Sequence, residues 1–440
     1  MSESIQSQRA TIFNTLFQGF EGPAFAIRLW DGWRWSSRGG DRTVCTIVVE
    51  SPQALHSFIA EPNEITLGEA FIHGDLDIEG DIFSVFSIAE HIFNRPRSLR
   101  FQLLEKASWA LFGLGRWIKH GSQHSLERDR ASISYHYDQP VAFFEPWLGQ
   151  SLAYSCAYFR SAGESLDVAQ EEKLDLICRK LRLQPRERFL DIGCGWGSLV
   201  MHAAGKYHVH AQGITISKEQ KQVAKRRIAE TNWANRCAVE LRDYRESNQV
   251  RHTFDKIASV GMFEHVGLRN LRPYFRTVHG LMRPGGVFLN HGITRSCTSA
   301  IPVASFIDRY VFPDGHLVTL PQVLEAAESQ GFEVRDVENL REHYALTLRR
   351  WVDALRQNSE TVLQHVSNVT YRIWLLYMAG SAAAFRRGDI AVHQVLLSRP
   401  DRGQTYLPLT REDWYSVNTR QEVEACQIRR QHCLDNRLMD

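Results

Sequence analysis

The run Leu190-Asp191-Ile192-Gly193-Cys194-Gly195-Trp196-Gly197 reads as a strand that ends in glycines and enters a helix. Such a loop suits a ligand held against backbone. Glycine removes the Cβ that would block close approach and permits the turn, while the following helix offers free amide N–H groups. The spacing is GxGxG, whereas a dinucleotide fold uses GxGxxG so that its third glycine lets the helix pack beneath a pyrophosphate. A second strand-like run ends Gly213-Ile214-Thr215-Ile216-Ser217 and is followed by Gln220; the pair Asp243-Tyr244 closes another short β-like run. Taken singly, Gln220 reads equally as a solvated helix residue and Asp243 as a turn residue.

With Asp191 ahead of its first glycine, the loop resembles the nucleotide loop of class I S-adenosylmethionine-dependent methyltransferases, whose ligand has no phosphate to cradle. In that fold Gly193, Gly195, Gly197, Thr215, Gln220, Asp243 and Tyr244 surround the cofactor. Polar groups on the second strand meet ribose hydroxyls, and a carboxylate accepts from the adenine amino group.

The elements around the loop fit this placement. A helix through LDLICRKLRL, strand RFLDIG, helix SLVMHAAGKY, strand HVHAQGIT, helix KEQKQVAKRRIAE and strand DKIASVG alternate. Alternation of this kind predicts a parallel sheet with helices on both faces. A turn at Arg283-Pro284-Gly285-Gly286 leads to one more strand, VFLNHGI. The expected fold class is α/β, a Rossmann-like methyltransferase domain preceded by a small α+β domain. Its expected segments are residues 1–93 for the small domain, 94–134 for a helix and linker, 135–400 for the catalytic domain and 401–440 for an extension without an assigned role.

The chain has 440 residues, 52 Lys+Arg against 50 Asp+Glu and 43% hydrophobic residues, enough for a sizeable core and two or three domains. Near-balanced charge argues against a basic nucleic-acid coat. The helix with Lys218, Lys221, Lys225, Arg226 and Arg227 reads as a solvated outer face, with attraction to anionic lipid as a secondary role. His208 and His210 share a strand face, but no carboxylate or cysteine at ligand spacing joins them, so no metal is expected. Asp75, Asp77 and Glu79 ahead of Gly80 imitate a calcium loop whose final acid would fall at Phe86; a solvated turn is the better reading. The 8 cysteines are scattered without CxxC spacing and read as reduced thiols. No secretory pattern opens the chain, which predicts a cytoplasmic protein. The apolar run IWLLYMAGSAAAF is shorter than the ~20 residues that span a bilayer and reads as a buried helix. Trp109, Phe112 and Arg116 share a face of another helix, which suits docking on the neighbouring domain better than a membrane interface.

Five motifs occur in order: YDQPVAFFEPWLGQSLAYSCAYF at residues 137–159, LDIGCGWG, GITISKEQ, VGMFEHVG at 260–267 and HYALTLRRW at 343–351. Together they resemble the cyclopropane-fatty-acyl-phospholipid synthase family, related to the mycolic acid cyclopropane synthases, over residues 134–400. LGEAFIHGDLDIEGD also resembles the amino-terminal domain of longer bacterial members. The resemblance implies methyl transfer from S-adenosylmethionine to the cis double bond of an unsaturated phospholipid acyl chain. Loss of a proton from the incoming methyl then closes a cyclopropane, and bicarbonate is the implied proton acceptor. Carried over residue by residue, Glu264, His291 and Tyr344 would hold that anion, Cys156 would border it, and Ile293 would contribute backbone. A proton shared within the cluster would keep Glu264 from repelling the anion. Tyr154 and Ser155 would touch the cofactor, and Tyr137 would approach its amino-acid end. Gly292 departs from the family pattern, which commonly has a larger residue there. The implied partners are phospholipid acyl chains met by reversible contact with a membrane surface, no nucleic acid, and a possible second copy in a homodimer. Alternatives are methylation without ring closure, a non-catalytic lipid-binding protein, and a nicotinamide oxidoreductase. The last is disfavoured by GxGxG and by the lack of an acid ending the second strand.

Overall fold

The computed structural model describes residues 3–38, 42–60, 63–93, 139–249, 252–298, 306–312 and 317–415. Tyr137 and the Trp109–Arg116 helix expected from the sequence lie outside these residues.

The amino-terminal part is a four-stranded sheet in the order β2-β1-β3-β4, with β1 Phe25–Leu29, β2 Arg34–Ser36, β3 Cys45–Val49 and β4 Leu76–Gly80. Its apolar face is covered by the Glu3–Leu16 helix, whose Phe13 stacks near Trp33 and Trp35. Asp77 and Glu79, the acids of the calcium-like run, sit on β4 rather than in a turn. Asp77 meets Arg372 at 3.1 Å and Glu79 meets Arg28 at 2.6 Å.

The larger sheet has seven strands in the order β10-β11-β9-β8-β5-β6-β7. These are β5 Arg188–Ile192, β6 His210–Thr215, β7 Cys237–Leu241, β8 Phe254–Val260, β9 Met282–Arg295, β10 Glu333–Asn339 and β11 Ile390–Ser398. Strands β5 to β9 are parallel, as the alternation predicts. β11 is not, for it runs antiparallel between β9 and β10. The Asn368–Arg387 helix ends at Gly388, in the left-handed region at φ +83°, and β11 starts two residues later. So short a connection returns the chain directly into the gap beside β9. Three other expectations change. Residues 283–286 form no separating turn; Gly285 at φ +78° accommodates a bulge inside β9, its N–H bonding the Arg399 carbonyl at 2.8 Å. His208, at φ +57°, precedes β6, so it shares no strand face with His210. Arg227 is not solvated: its guanidinium donates to the carbonyls of Trp196 (2.9 Å) and Ser151 (3.1 Å), tying the Lys218–Ala229 helix to the exit of the glycine loop.

The run at 373–385 lies in the Asn368–Arg387 helix, capped by Ser367, with Trp374, Leu375, Met378, Ala382 and Phe385 buried. Among the described residues no helix is long and apolar enough to cross a membrane. This helix joins the two parts of the molecule. Phe71, Ile72, Ile82 and Phe83 of the amino-terminal part share one apolar cluster with Trp147, Trp351, Trp374 and Tyr377. Arg372 locks the seam by donating to the carbonyls of Phe71 (2.6 Å) and Leu76 (2.7 Å), its guanidinium 4.2 Å from the centre of the Phe71 ring.

Candidate active site

β5 delivers the glycine loop to the carboxyl edge of the sheet. Gly193 and Gly195 both take left-handed φ, +81° and +52°. A Cβ on Gly193 would come within 2.7 Å of the Met262 Cβ, while one on Gly195 would meet nothing within 4 Å among the described residues, because it faces open space. That space is a cavity lined by Tyr154, Ser155, Asp191, Gly193, Gly195, Thr215, Gln220, Asp243 and Tyr244, with Lys173, Arg242, Arg245 and Met262 also on its wall. Gly197 stands behind it as the cap of the Ser198–Lys206 helix.

The polar groups of the wall are largely pre-set. Thr215 Oγ donates to Gln220 Oε1 at 2.7 Å. Asp243 is gripped by Arg245, whose Nε and terminal nitrogen reach its two oxygens at 2.9 and 2.8 Å. Each carboxylate oxygen carries two lone pairs, so acceptor capacity remains for a ligand. Asp191 differs. It is buried, Oδ1 has no partner among the described residues, and burial pushes its pKa up to about 7 against the opposing pull of Lys173.

None of Cys156, Glu264, His291, Ile293 and Tyr344 is on this wall, but Ser155, Met262 and His265 beside them are. Glu264 sits in the short turn Phe263–His265 that follows β8. Its Oε1 accepts the Ile293 N–H at 2.7 Å, and Oε2 is buried with no partner among the described residues. Burial raises its pKa to about 7, overcoming the backbone hydrogen bonds that favour the anion. His291 and Ile293 are alternate residues of β9 and project from the same face. His291 is 1% exposed, and burial, helped by the charges of Lys173 and Lys180, pushes its pKa down to about 3. The ring is therefore neutral. Gln394 lies directly opposite on β11, with Nε2 3.2 Å from His291 Nδ1. An amide N–H donated to Nδ1 leaves the ring proton on Nε2, which is buried without a partner among the described residues.

Cys156 is fully buried, its thiol donating to the carbonyls of Ala157 (3.3 Å) and Leu340 (3.8 Å). Burial raises its pKa, so it is a neutral thiol and not a nucleophile. Tyr344, on the Arg341–Gln357 helix, packs on Phe385 and Trp351 with ring centres 4.7 and 6.0 Å away. The structure thus joins Glu264, Ile293 and His291 by hydrogen bonds or strand register, and places Cys156, Ile293 and Tyr344 around one aromatic cluster. Tyr154 links this cluster to the cavity. It lines the cavity wall while its ring lies 5.2 Å from Trp351 and 5.8 Å from Trp374. Tyr377 belongs to the same cluster, with its ring centre 6.1 Å from that of Trp374, and lies within reach of the Glu264 charge.

Sequence reasoning passed over Gln394, Lys173, Arg245 and Tyr377. Gln394 had a visible signal, a polar residue inside the apolar strand run IAVHQVLLS. Lys173 had a weaker one, its place in the buried stripe with Ala169, Gln170, Leu174 and Ile177. The departure at Gly292 has a steric reason, since a Cβ there would approach the Phe263 ring to 2.8 Å.

A model of the mycolic acid cyclopropane synthetase family matches residues 124–395, and one of a domain of unknown function matches residues 12–98. The probable fatty acid methyltransferase of Pseudomonas putida is 40% identical over 395 residues, covering 88% of this chain and 95% of the relative. The cyclopropane-fatty-acyl-phospholipid synthase of Escherichia coli K12 is 38% identical over 264 residues, 60% of this chain and 66% of that one. Among solved structures, the mycolic acid cyclopropane synthase CmaA1 complexed with SAH and CTAB is 35% identical, with a TM-score of 0.57 over 61% of this chain and 97% of that chain. The chain belongs to the mycolic acid cyclopropane synthetase family and is an S-adenosylmethionine-dependent methyltransferase with the Rossmann-like fold of that class.

Proposed function

We propose that the protein methylates the cis double bond of an unsaturated phospholipid acyl chain and closes the adduct to a cyclopropane. The observation that carries this reading is the pair of buried polar atoms without a partner among the described residues, Glu264 Oε2 and His291 Nε2, behind an aromatic cluster that touches the cofactor cavity. The cofactor fits the cavity, where, among the described residues, Asp191 Oδ1 lacks a partner and Gly195 leaves open space. When bound, S-adenosylmethionine supplies an electrophilic methyl group. An anion such as bicarbonate fits the second cluster because a protonated Glu264 and a neutral His291 each offer a donor there; it would supply the base that takes a proton from the added methyl.

The chain's own part is orientation and exclusion of water. Phe144, Trp147, Tyr154, Trp351 and Trp374 form a buried aromatic cluster that reaches the cofactor cavity at Tyr154; ring faces turned to the alkylated chain would favour its positive charge, at about 0.5–2 kcal/mol for each well-placed ring. Gln394 fixes the His291 proton on Nε2, and Ile293 fixes Glu264 through Oε1. Reversible contact with a lipid surface from the cytoplasmic side would bring the acyl chain to this cluster.

A second reading, methyl transfer without ring closure, is supported by the Pseudomonas putida relative, whose name is that of a probable fatty acid methyltransferase. The two differ in which proton leaves: one from the added methyl gives the ring, one from the neighbouring chain carbon gives an unsaturated branched product. The test incubates the protein with S-adenosylmethionine and a defined unsaturated phospholipid. The ring and the unsaturated branched product share a mass, so proton NMR separates them. Cyclopropyl resonances are expected, and a methylated product without them overturns ring closure.

Gly193→Ala tests the cofactor site alone. A side chain at φ +81°, 2.7 Å from Met262 Cβ, displaces the loop, so calorimetry should show S-adenosylhomocysteine bound about tenfold or more weakly. Undiminished affinity would place the ligand elsewhere.

A further inference from the structure

Lys173 is a buried ion that the proposed chemistry does not use. It is 1% exposed in the Leu166–Leu181 helix, and it lines the cofactor cavity. A buried ammonium is costly unless something holds it, and what holds this one is Ser155: Nζ donates to Ser155 Oγ at 2.8 Å. One turn earlier on the same helix face, Gln170 is also fully buried and donates from Nε2 to the carbonyls of Ala153 (3.1 Å) and Ser155 (3.0 Å). The helix thus fixes both the backbone and the hydroxyl of this segment.

Hydrogen-bond accounting then sets the polarity of the cavity. Ser155 has one hydroxyl hydrogen, and because Oγ already accepts from Lys173, that hydrogen is available for donation. Asp191, on the same cavity wall, offers the buried acceptor Oδ1, which has no partner among the described residues. The two arginines on the wall are engaged elsewhere, Arg245 with Asp243 at 2.8 Å and Arg242 with Glu240 at 2.7 Å. A donor and an anionic acceptor in one dry recess complement the carboxylate and ammonium of an α-amino acid, which is the methionyl end of the cofactor. The groups that face Lys173 are the Asp191 carboxyl, which favours its charge, and the neutral Cys156 thiol; Lys173 in turn disfavours protonation of His291.

We propose that Lys173 is a positioning residue for the amino-acid end of the cofactor, turning Ser155 into a donor for the α-carboxylate across the recess from Asp191, which accepts from the α-ammonium. The proposal rests on the cofactor reading of the cavity, and its test separates the two. Calorimetry compares the wild type, Lys173→Met, Ser155→Ala and the double variant, each with S-adenosylhomocysteine and with 5′-methylthioadenosine, which lacks the amino-acid end. Each single variant should bind S-adenosylhomocysteine roughly 10- to 100-fold more weakly and methylthioadenosine within about twofold of wild type. The double variant should be no weaker than the worse single by more than about twofold, because one interaction has been removed twice. In Lys173→Met the acid limb of S-adenosylhomocysteine affinity should also move to higher pH, since Asp191 loses its cation. Equal losses for both ligands, or additive losses in the double variant, overturn the proposal. Should Lys173→Met not fold, Ser155→Ala decides alone: unchanged selectivity between the two ligands overturns it. A wild type that binds neither nucleoside overturns the cofactor reading and this proposal with it.

Discussion

Glu264→Ala is expected to lower kcat by roughly 10²–10³-fold while S-adenosylhomocysteine affinity stays within about threefold of wild type. The split follows from position, because Glu264 is absent from the cofactor cavity and its carboxylate accepts the Ile293 N–H instead. Removing the carboxyl orphans that amide and deletes the donor proposed for the anion. The protonation argument adds a pH signature. Burial raises the Glu264 pKa to about 7, and a bound anion would raise it further by like-charge repulsion. The carboxyl is protonated below that pKa and can donate; above it, the ionised group repels the anion. Turnover should therefore fall on the alkaline side, with an apparent pKa at or above about 7. Glu264→Gln keeps an acceptor for the Ile293 N–H and a donor in place of Oε2, so it should lose less activity than the alanine variant and lose the alkaline limb. Stopped-time assays across pH, with calorimetry on the same preparations, read both quantities. Comparable losses in turnover and in cofactor affinity would assign Glu264 a structural role instead.

Trp414→Ala should cost about 3–5 kcal/mol of stability, read from equilibrium urea denaturation. The sequence offered no role for the chain beyond residue 400, yet Trp414 is 2% exposed and belongs to the apolar cluster with Ile177, Leu181 and Leu396. Cations surround its ring: Lys180, Arg182 and Arg411 stand 5.6, 5.0 and 5.8 Å from its centre. Arg182 also bonds Asp413 at 2.7 Å, Arg411 bonds Asp336 at 2.9 Å, and Arg179 donates to the Trp414 carbonyl. Loss of the indole removes a large buried surface and leaves the Lys180 ammonium, itself fully buried, beside a void. A cost below about 1 kcal/mol would mean that this segment merely rests on the surface. Since Lys173 lies on the same helix as Lys180, the variant also asks whether the cofactor site tolerates loss of its outer support.

Much of the larger sheet was legible because the signals are local. β5, β6 and β8 show as short apolar runs between helices with capping residues, such as Ser217 before the Lys218–Ala229 helix. The glycine loop was legible for the same reason, since left-handed φ at Gly193 and Gly195 is a property of single residues. The small domain was read less completely: the Glu3–Leu16 helix and the three-residue β2 carry little periodicity, and the pairing partners make them. The bulge at Gly285 was misread as a turn because Arg-Pro-Gly-Gly signals a break in pairing without saying whether the strand resumes in line.

By itself the sequence determined the cofactor loop, the alternating core of the fold and, through its motifs, the family. These depend on backbone sterics, on periodicity and on residues close together in the chain. Tertiary structure alone decided what the site can do with protons. Gln394 meets His291 across 103 residues of chain because β11 turns back antiparallel, and Arg372 reaches Phe71 across 301. No short-range pattern encodes such pairings. Charge states follow the same rule, for Glu264, His291, Asp191 and Lys173 owe their shifted pKa values chiefly to burial, which exists only once the chain has folded around them.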